Sequence, residues 1–462
     1  MSIYESWNIN AGPIELKVKD VFHYQRRMCK EASILQKLIG LCSRHGYIHP
    51  PMDLGHSGVK GCYDFGPLGA VLRRNIQNEW WTSVVSFRED MFGIESSQLQ
   101  TATDRNVDHP DNQAANSKGH RRLRVIPNTD RNSHVEDKGS GVVEMSSENN
   151  SKGNSEWLLR NSLHEGTFAQ YYNALQLVSR RLPFGLAQIG QCFRRISPSE
   201  RPVDGNKDRY IFDLPVFTQM TAQFYCSPTM ADRWMIDWQR DRLQWWRKFS
   251  GAPASFQMSE TKQSDLLRST DIQFHFPWGV DTIERISNRG SGDLEQLQLE
   301  TGEDMHGRDG RRNVLPQAIE MVCGMERGML ALLLDAYQEK TRTDAKGQIN
   351  HKKVLRLHVR LAPVKVAVLP VKGTKELSEL CEYLAKELRK KSISCHRVNE
   401  VSPVIGQHVA RFDEMGVPFV VLLNESTLKT GVVRLRHRDT MIMQQLHITE
   451  VRESIEHHLE AG

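Results

Sequence analysis

"IGQHVARFDEMGVPFVVLLNESTLKTGVVRLRHRDT", Ile405 to Thr440, decides the last part of the chain. Its middle, "VPFVVLLN", is a short run with no polar alternation, as in a strand buried on both faces. A second such run, "APVKVAVLP", lies upstream at Ala362–Pro370, and "ELSELCEYLAKELRKKS" between them has helical spacing. Strands alternating with helices predict a small α/β domain with a largely parallel sheet, starting near residue 355. The end of the stretch reads as a strand with one polar face, where Val432, Val433 and Leu435 alternate imperfectly with Arg434, Arg436 and Arg438. An arginine fork pairs well with carboxylates at protein interfaces, so these three are candidate partner contacts. The alternative is pairing inside the domain, with Asp439 and Glu450 as acceptors.

Upstream the texture changes. "QIGQCFRRISPSERP", Gln188–Pro202, is a strand-like run ending in Arg194 and a Ser/Pro loop. An arginine placed there can hold a phosphate in two-pronged fashion. Nucleotide chemistry also needs an acid nearby, and two residues on stands Ile196. "AVLRRNIQNEWWTSVVSF" has a helical apolar face of Val71, Leu72, Ile76 and Trp80. "MADRWMIDWQRDRLQWWRKF" places Trp234, Trp238, Trp245 and Phe249 at helical spacing among arginines. Such a stripe can stack on bases, but we read it as core. "HGRDGRRNVLP", His306–Pro316, packs Arg308, Arg311 and Arg312 into one loop, and a polar linker, "RTDAKGQINHKK", carries Lys352 and Lys353. These five cations are the candidate nucleic-acid contacts.

Residues 97–156 contain no Phe, Trp or Tyr and are crowded with Asn, Ser, Asp and Gly. They offer too little apolar area to offset their ordering entropy, and we read them as a disordered insertion. The organisation expected is therefore a tail and helix over 1–46, a main domain over 47–350 with that insertion, and the α/β domain over 355–462.

The chain has 462 residues, 39% hydrophobic and 25% charged, with a net charge of +5. That suits a globular protein of two or three domains and permits, without requiring, a polyanionic partner. The eight cysteines form no C-x-x-C pair, which argues against a thiolate zinc site and for a reducing compartment. No apolar run approaches the roughly 20 residues of a membrane span. The N-terminus shows no apolar core of a signal peptide, and its Glu5, Glu15 and Asp20 are unusual for a mitochondrial presequence.

The α/β domain resembles the anticodon-binding domain of class II aminoacyl-tRNA synthetases, the glycyl type in particular. "GCYDFGPLGAVLRRNIQNEWW", "FPWG", "NRGSGDL" and "CGMERGMLALL" are similar to further signatures of glycyl-tRNA synthetase. The resemblance implies an α+β fold for the main domain, an antiparallel sheet flanked by helices, ahead of the anticodon-binding-like domain. It implies that Arg194 and Arg327 stand where the family holds ATP. It also implies that acidic positions of the family's pocket have become Ile196, Val216, Thr221 and Gln223, that the arginine paired with one of them has become Pro215, that a serine has become Val322 and that a glycine has become Arg285. Adenylation needs carboxylates for Mg²⁺ and for the substrate ammonium. A pocket without them is expected to have no catalytic residues, no cofactor and no metal, with Arg194 and Arg327 vestigial.

"LVSRRLPFGLAQIGQCF", "RLQWWRKF", "HGRDGRRNVLP" and "KVLRLHVRLAPVKVAV" are more similar still to one degenerate branch, the accessory subunits of mitochondrial DNA polymerase gamma. That resemblance implies a mitochondrial protein that binds the catalytic polymerase subunit and double-stranded DNA and raises processivity. It also implies a homodimer, although the aromatic-free segment occupies the place where that family builds dimer helices. Two rivals stay open: a working glycyl-tRNA synthetase, and an RNA-binding regulator on the same scaffold.

Overall fold

The computed structural model describes residues 34–50, 62–101, 124–125, 157–194, 209–263, 268–343, 349–398 and 405–461. Ile196, the chain before residue 34 and most of the 97–156 segment lie outside the described residues. Two of its parts are strand-paired: Leu99–Thr101 near its start and Arg124–Val125 near its middle both lie antiparallel to Trp157–Leu159, which follows it.

Helix α1 covers 34–44 and buries Leu35, Leu38 and Leu41. Helix α2, Pro67–Trp81, begins with a proline at its first position, where the missing N–H has no helical partner to lose. Leu72, Ile76 and Trp80 are buried, while Val71, expected on the same face, is exposed. The run before α2 lies flat on the Gly46–Tyr47 backbone, with Gly66 N–H donating to Tyr47 O and Leu68 N–H to Gly46 O. A Cβ on Gly69 would come within 1.8 Å of the Tyr47 carbonyl, so only glycine fits there.

The main sheet is built from β1 (Met91–Gly93), β2 (Phe184–Phe193), β3 (Val216–Cys226), β4 (Arg268–Phe276), β5 (Gly279–Asn288) and β6 (Gln317–Gly324). Their order is β4-β5-β6-β3-β2-β1, with two short strands added along β4. Every pairing is antiparallel except β1 with β2. Alternate residues point to opposite faces. Met220, Ala222, Phe224, Ile319, Met321, Cys323 and Ile286 face the core. Against them pack α2, α3 (Ala231–Lys248) and α4 (Met325–Ala336). Trp238, Trp245 and Phe249 are buried there and Trp234 packs against Phe224, so the aromatic stripe is core.

The expected polar linker is a β-ribbon, Tyr337–Thr343 paired with Ile349–Leu355. The pairing runs through Leu355, which is fully buried, so the boundary falls after that residue. The C-terminal domain contains β7 (Val366–Pro370), α5 (Lys375–Lys390), β8 (Cys395–Arg397), α6 (Ile405–Glu414), β9 (Phe419–Leu423), β10 (Val432–His437), β11 (Met443–His447) and α7 (Val451–Ala461). Strand order is β8-β7-β9-β10-β11. The sheet is mixed, not largely parallel: β7 pairs in parallel with β8 and β9, whereas β9-β10-β11 is an antiparallel meander. Short connections at Glu425–Thr430 and after His437 reverse the chain without a crossover helix long enough for parallel return. Helices α5 and α7 cover one face and α6 the other.

Candidate functional site

The face of the main sheet turned away from the core carries Thr221, Gln223, Val322 and Arg285, four of the positions singled out from the resemblance, and register aligns them. Gln188 on β2 lies opposite Thr221 on β3, Thr221 opposite Val322 on β6, Val322 opposite Arg285 on β5, and Arg285 opposite Asp271 on β4. One row across five strands thus unites Thr221, Val322 and Arg285. The next row on the same face holds Gln223, Glu320 and Ser287. Arg285 donates to both Asp271 oxygens, at 2.7 and 3.2 Å. Thr221 and Gln223 are buried, and the Thr221 hydroxyl has no hydrogen-bond partner among the described residues.

Arg194 and Arg327 come together at the mouth of this face and bind the loop before β3. Arg194 donates from Nε to Leu214 O at 2.8 Å and from Nη2 to Asp213 at 3.2 Å. Arg327 donates from Nε to Phe212 O at 3.2 Å and from Nη2 to the same Asp213 oxygen at 2.9 Å. Arg209 takes the other oxygen at 3.3 Å. Burial pushes the Asp213 carboxyl up, but the Arg327, Arg194 and Arg209 charges outweigh it and hold it below the usual range. The Arg327 guanidinium lies 4.3 Å over the Phe212 ring. Both arginines therefore have a carboxylate and a carbonyl within the fold. Pro215 precedes β3 and Val216 opens it beside them, and Val216 is exposed.

A polar knot beside the row escaped the sequence reading. His164 Nδ1 lies 2.6 Å from Glu320, and Gln223 Nε2 donates to Glu320 at 2.9 Å. Arg289 bridges Glu320, at 3.3 Å, and Asp293, at 2.9 Å. Burial alone would lower the His164 pKa, yet the Glu320 charge and its hydrogen bonds raise it to about 9. Burial would raise Glu320, yet His164 and Arg289 bring it down to about 2. The one available signal was the isolated acid in the apolar strand "QAIEMVCG". Among the described residues no group of three or more His, Cys, Asp or Glu is arranged to hold a metal ion, and no helix is long and apolar enough to cross a membrane.

The basic loop is a β-ribbon, Gly307–Asp309 paired with Arg312–Val314. Arg308, Arg311 and Arg312 are exposed. Arg181, which the sequence reading passed over, is exposed as well and its backbone bridges to Arg308. Lys352 does not belong with them: its ammonium is bonded to the buried Asp413 of α6. Lys353 lies opposite Glu339 in its ribbon and is half-buried.

The three C-terminal arginines divide. Arg434 is exposed. Arg436 is 5% exposed and forms a bidentate pair with Asp413, at 2.9 and 3.0 Å. Arg438 is 2% exposed and donates to Leu355 O, Gly416 O and Leu357 O as well as to Asp439. Arg436 and Arg438 are thereby withdrawn as surface contacts, because their donors are spent inside the protein. Internal pairing was the right alternative for these two, with Asp439 as one acceptor and Asp413 as the other.

An antiparallel sheet with a polar pocket face, followed by a small mixed α/β domain, defines a class II aminoacyl-tRNA synthetase-like protein. Residues 365–458 match the family described as anticodon binding domain. The chain is 32% identical to the mitochondrial DNA polymerase subunit gamma-2 of Xenopus laevis, over 92% of this chain and 88% of that protein. It is 33% identical to DNA polymerase subunit gamma-2 of Bos taurus, over 86% and 79%. It is also 30% identical to the glycine–tRNA ligase of Corynebacterium glutamicum, over 91% and 97%. The chain belongs to the DNA polymerase subunit gamma-2 family.

Proposed function

We propose that this chain is the non-catalytic accessory subunit of a mitochondrial DNA polymerase, binding the catalytic subunit and duplex DNA and raising processivity. The observation that carries the non-catalytic part is the cross-strand row. Where adenylation needs carboxylates for metal and ammonium, the row offers a hydroxyl, an isopropyl and a guanidinium already closed on Asp271. Arg194 and Arg327 support the same reading, since both are already bound to Asp213 and to backbone carbonyls of the same loop. The names of the relatives support the polymerase partner and the mitochondrial address. Exposed Arg308, Arg311 and Arg312, with half-buried Lys353, are the DNA-facing candidates. Exposed Arg434 is the remaining partner contact of the C-terminal domain. A homodimer belongs to the same reading, with the exposed Val71 flank of α2 as its candidate contact.

Two assays test this. Glycine-dependent ATP–pyrophosphate exchange should stay at background; exchange well above it would restore the synthetase reading. Full-length protein should co-purify with a polymerase catalytic subunit and lengthen its products on a primed template. Tighter binding of tRNA than of duplex DNA at matched salt would favour the RNA-binding rival instead.

A further inference from the structure

We propose that the Gly307–Val314 ribbon enters the major groove of duplex DNA edge-on, with a phosphodiester strand facing each of its two sides. The proposal rests on the reading of the chain as a DNA-binding accessory subunit and adds how the contact is made.

The distribution of charge around the ribbon is the starting point. In an antiparallel pair, directly opposed residues share a face and the next pair takes the other. Arg308 is opposed to Asn313, and Arg312 to Asp309. Arg308 and Arg312 therefore project from opposite faces. The parallel bridge between Arg181 and Arg308 adds Arg181 to the Arg308 side. Gly310 and Arg311 form the two-residue turn, and Gly310 has φ +60°, as the first turn position of a tight hairpin requires. Arg311 thus occupies the tip. All four arginines are exposed, and among the described residues none has a side-chain ion pair or hydrogen bond.

The ribbon is firmly mounted. Arg308 N–H donates to Arg180 O, and Leu182 N–H to Arg308 O at 2.9 Å. Arg180, itself at φ +60°, turns its guanidinium back onto the carbonyls of Asp304 and His306, at 2.8 and 2.7 Å. Gly307 sits against Leu182, where a Cβ would come within 2.7 Å of its side chain. Arg180 is a positioning residue, and the four exposed arginines are the contacts.

A flat acidic surface would engage one face of such a ribbon and leave the other in water. A duplex groove offers phosphates on both walls. The major groove is about 12 Å wide and admits a two-stranded ribbon. Unpaired cations on both faces and at the tip match that geometry, and the side chain missing at Gly310 keeps the tip narrow.

The test uses the full chain, a short duplex and the single strand of the same sequence, with affinity followed across a salt series. Each arginine that neutralises a phosphate contributes about 0.9 to the log–log salt slope. Arg312→Ala alone and Arg181→Ala with Arg308→Ala should each flatten the duplex slope, and neither should change the slope for the single strand. Wild-type protein should protect guanine N7, which lies in the major groove, from methylation, and Arg311→Ala should weaken that protection. All variants should keep the wild-type melting temperature. A slope that responds to one face only, or guanine N7 left open to methylation, overturns groove entry. A slope unmoved by every variant places the DNA elsewhere while leaving the accessory reading intact. Loss of polymerase co-purification with duplex affinity unchanged makes the ribbon a protein contact and overturns the proposal. A wild-type chain that stimulates polymerase but binds no duplex at low salt removes the DNA-binding reading and this inference together.

Discussion

"HGRDGRRNVLP" and "GVVRLRHRDT" look alike as text, each with three arginines in a short stretch. In the fold they have opposite fates. The first is a surface ribbon whose arginines have no partner within the chain among the described residues. The second is an inner strand whose Arg436 and the following Arg438 are among the most deeply buried charges. What separates them is the apolar residues between. Val433 and Leu435 anchor β10 against α5 and α7, so Arg434 and Arg436 take the other face, where Arg436 meets Asp413 of α6 while Arg434 stays exposed. No apolar residue in the His306–Arg312 run pulls it inward. The number of arginines therefore says little about an interface; the side chains between them say where the strand goes.

The contrast can be broken first at Arg438 and Arg436. Removing one partner of a buried, bonded charge leaves the rest uncompensated. Arg436→Ala or Arg438→Ala should lower unfolding free energy by about 3–5 kcal/mol in urea titrations. Reversing all three of Arg434, Arg436 and Arg438 would mix this loss with any effect on polymerase binding, so only Arg434→Glu is a clean probe of the surface.

Next comes the His164 pair. The folded pKa of His164 is raised from 6.5 to about 9, so its contribution is complete below about 6.5 and disappears as pH rises through about 9. Glu320 is lowered from 4.5 to about 2, so its contribution is complete above about 4.5 and is lost as pH falls through about 2. The wild-type melting temperature should fall between pH 6.5 and 9, and His164→Gln should flatten that fall. An unchanged slope in the variant would assign it to other groups.

A smaller effect is expected at Lys352, whose ammonium is partly exposed while Arg436 still holds Asp413. Lys352→Met should remove about 1–2 kcal/mol. Smallest of all, alanine at Arg308, Arg311 and Arg312 should change stability by less than about 0.5 kcal/mol. A large loss there would mean the ribbon arginines are structural after all, and the comparison would collapse.

Much of the fold was legible. Runs such as "VPFVVLLN" have too little polarity to be anything but buried, and β9 is buried at every position. The tryptophan stripe announced the core face of α3. The mixed sheet was not legible, because strand direction depends on connections whose lengths a pattern of apolar residues does not report. Nor was the ribbon at Tyr337–Leu355: its residues are polar, and what orders them is a cross-strand ladder and Asp413, far along the chain. In the pocket, Thr221, Val322 and Arg285 could be singled out one by one from the resemblance. Their alignment in a single row, and the attachment of Arg194 and Arg327 to Asp213, depend on register and on one loop acid.

Arg438 has a mechanical consequence. Its guanidinium ties the end of β10 to Leu355 and Leu357, while Tyr47 Oη donates to Met415 O and His45 meets Glu414 at 2.9 Å. The C-terminal domain is thus tied at several points to His45 and Tyr47, just after α1, and to the end of the Ile349–Leu355 strand. Torque applied to that domain is passed to the segment just after α1 and to the Ile349–Leu355 strand. Whatever grips one end of this molecule is held at a fixed bearing to whatever lies against the other, as by a ruler rather than by a leash.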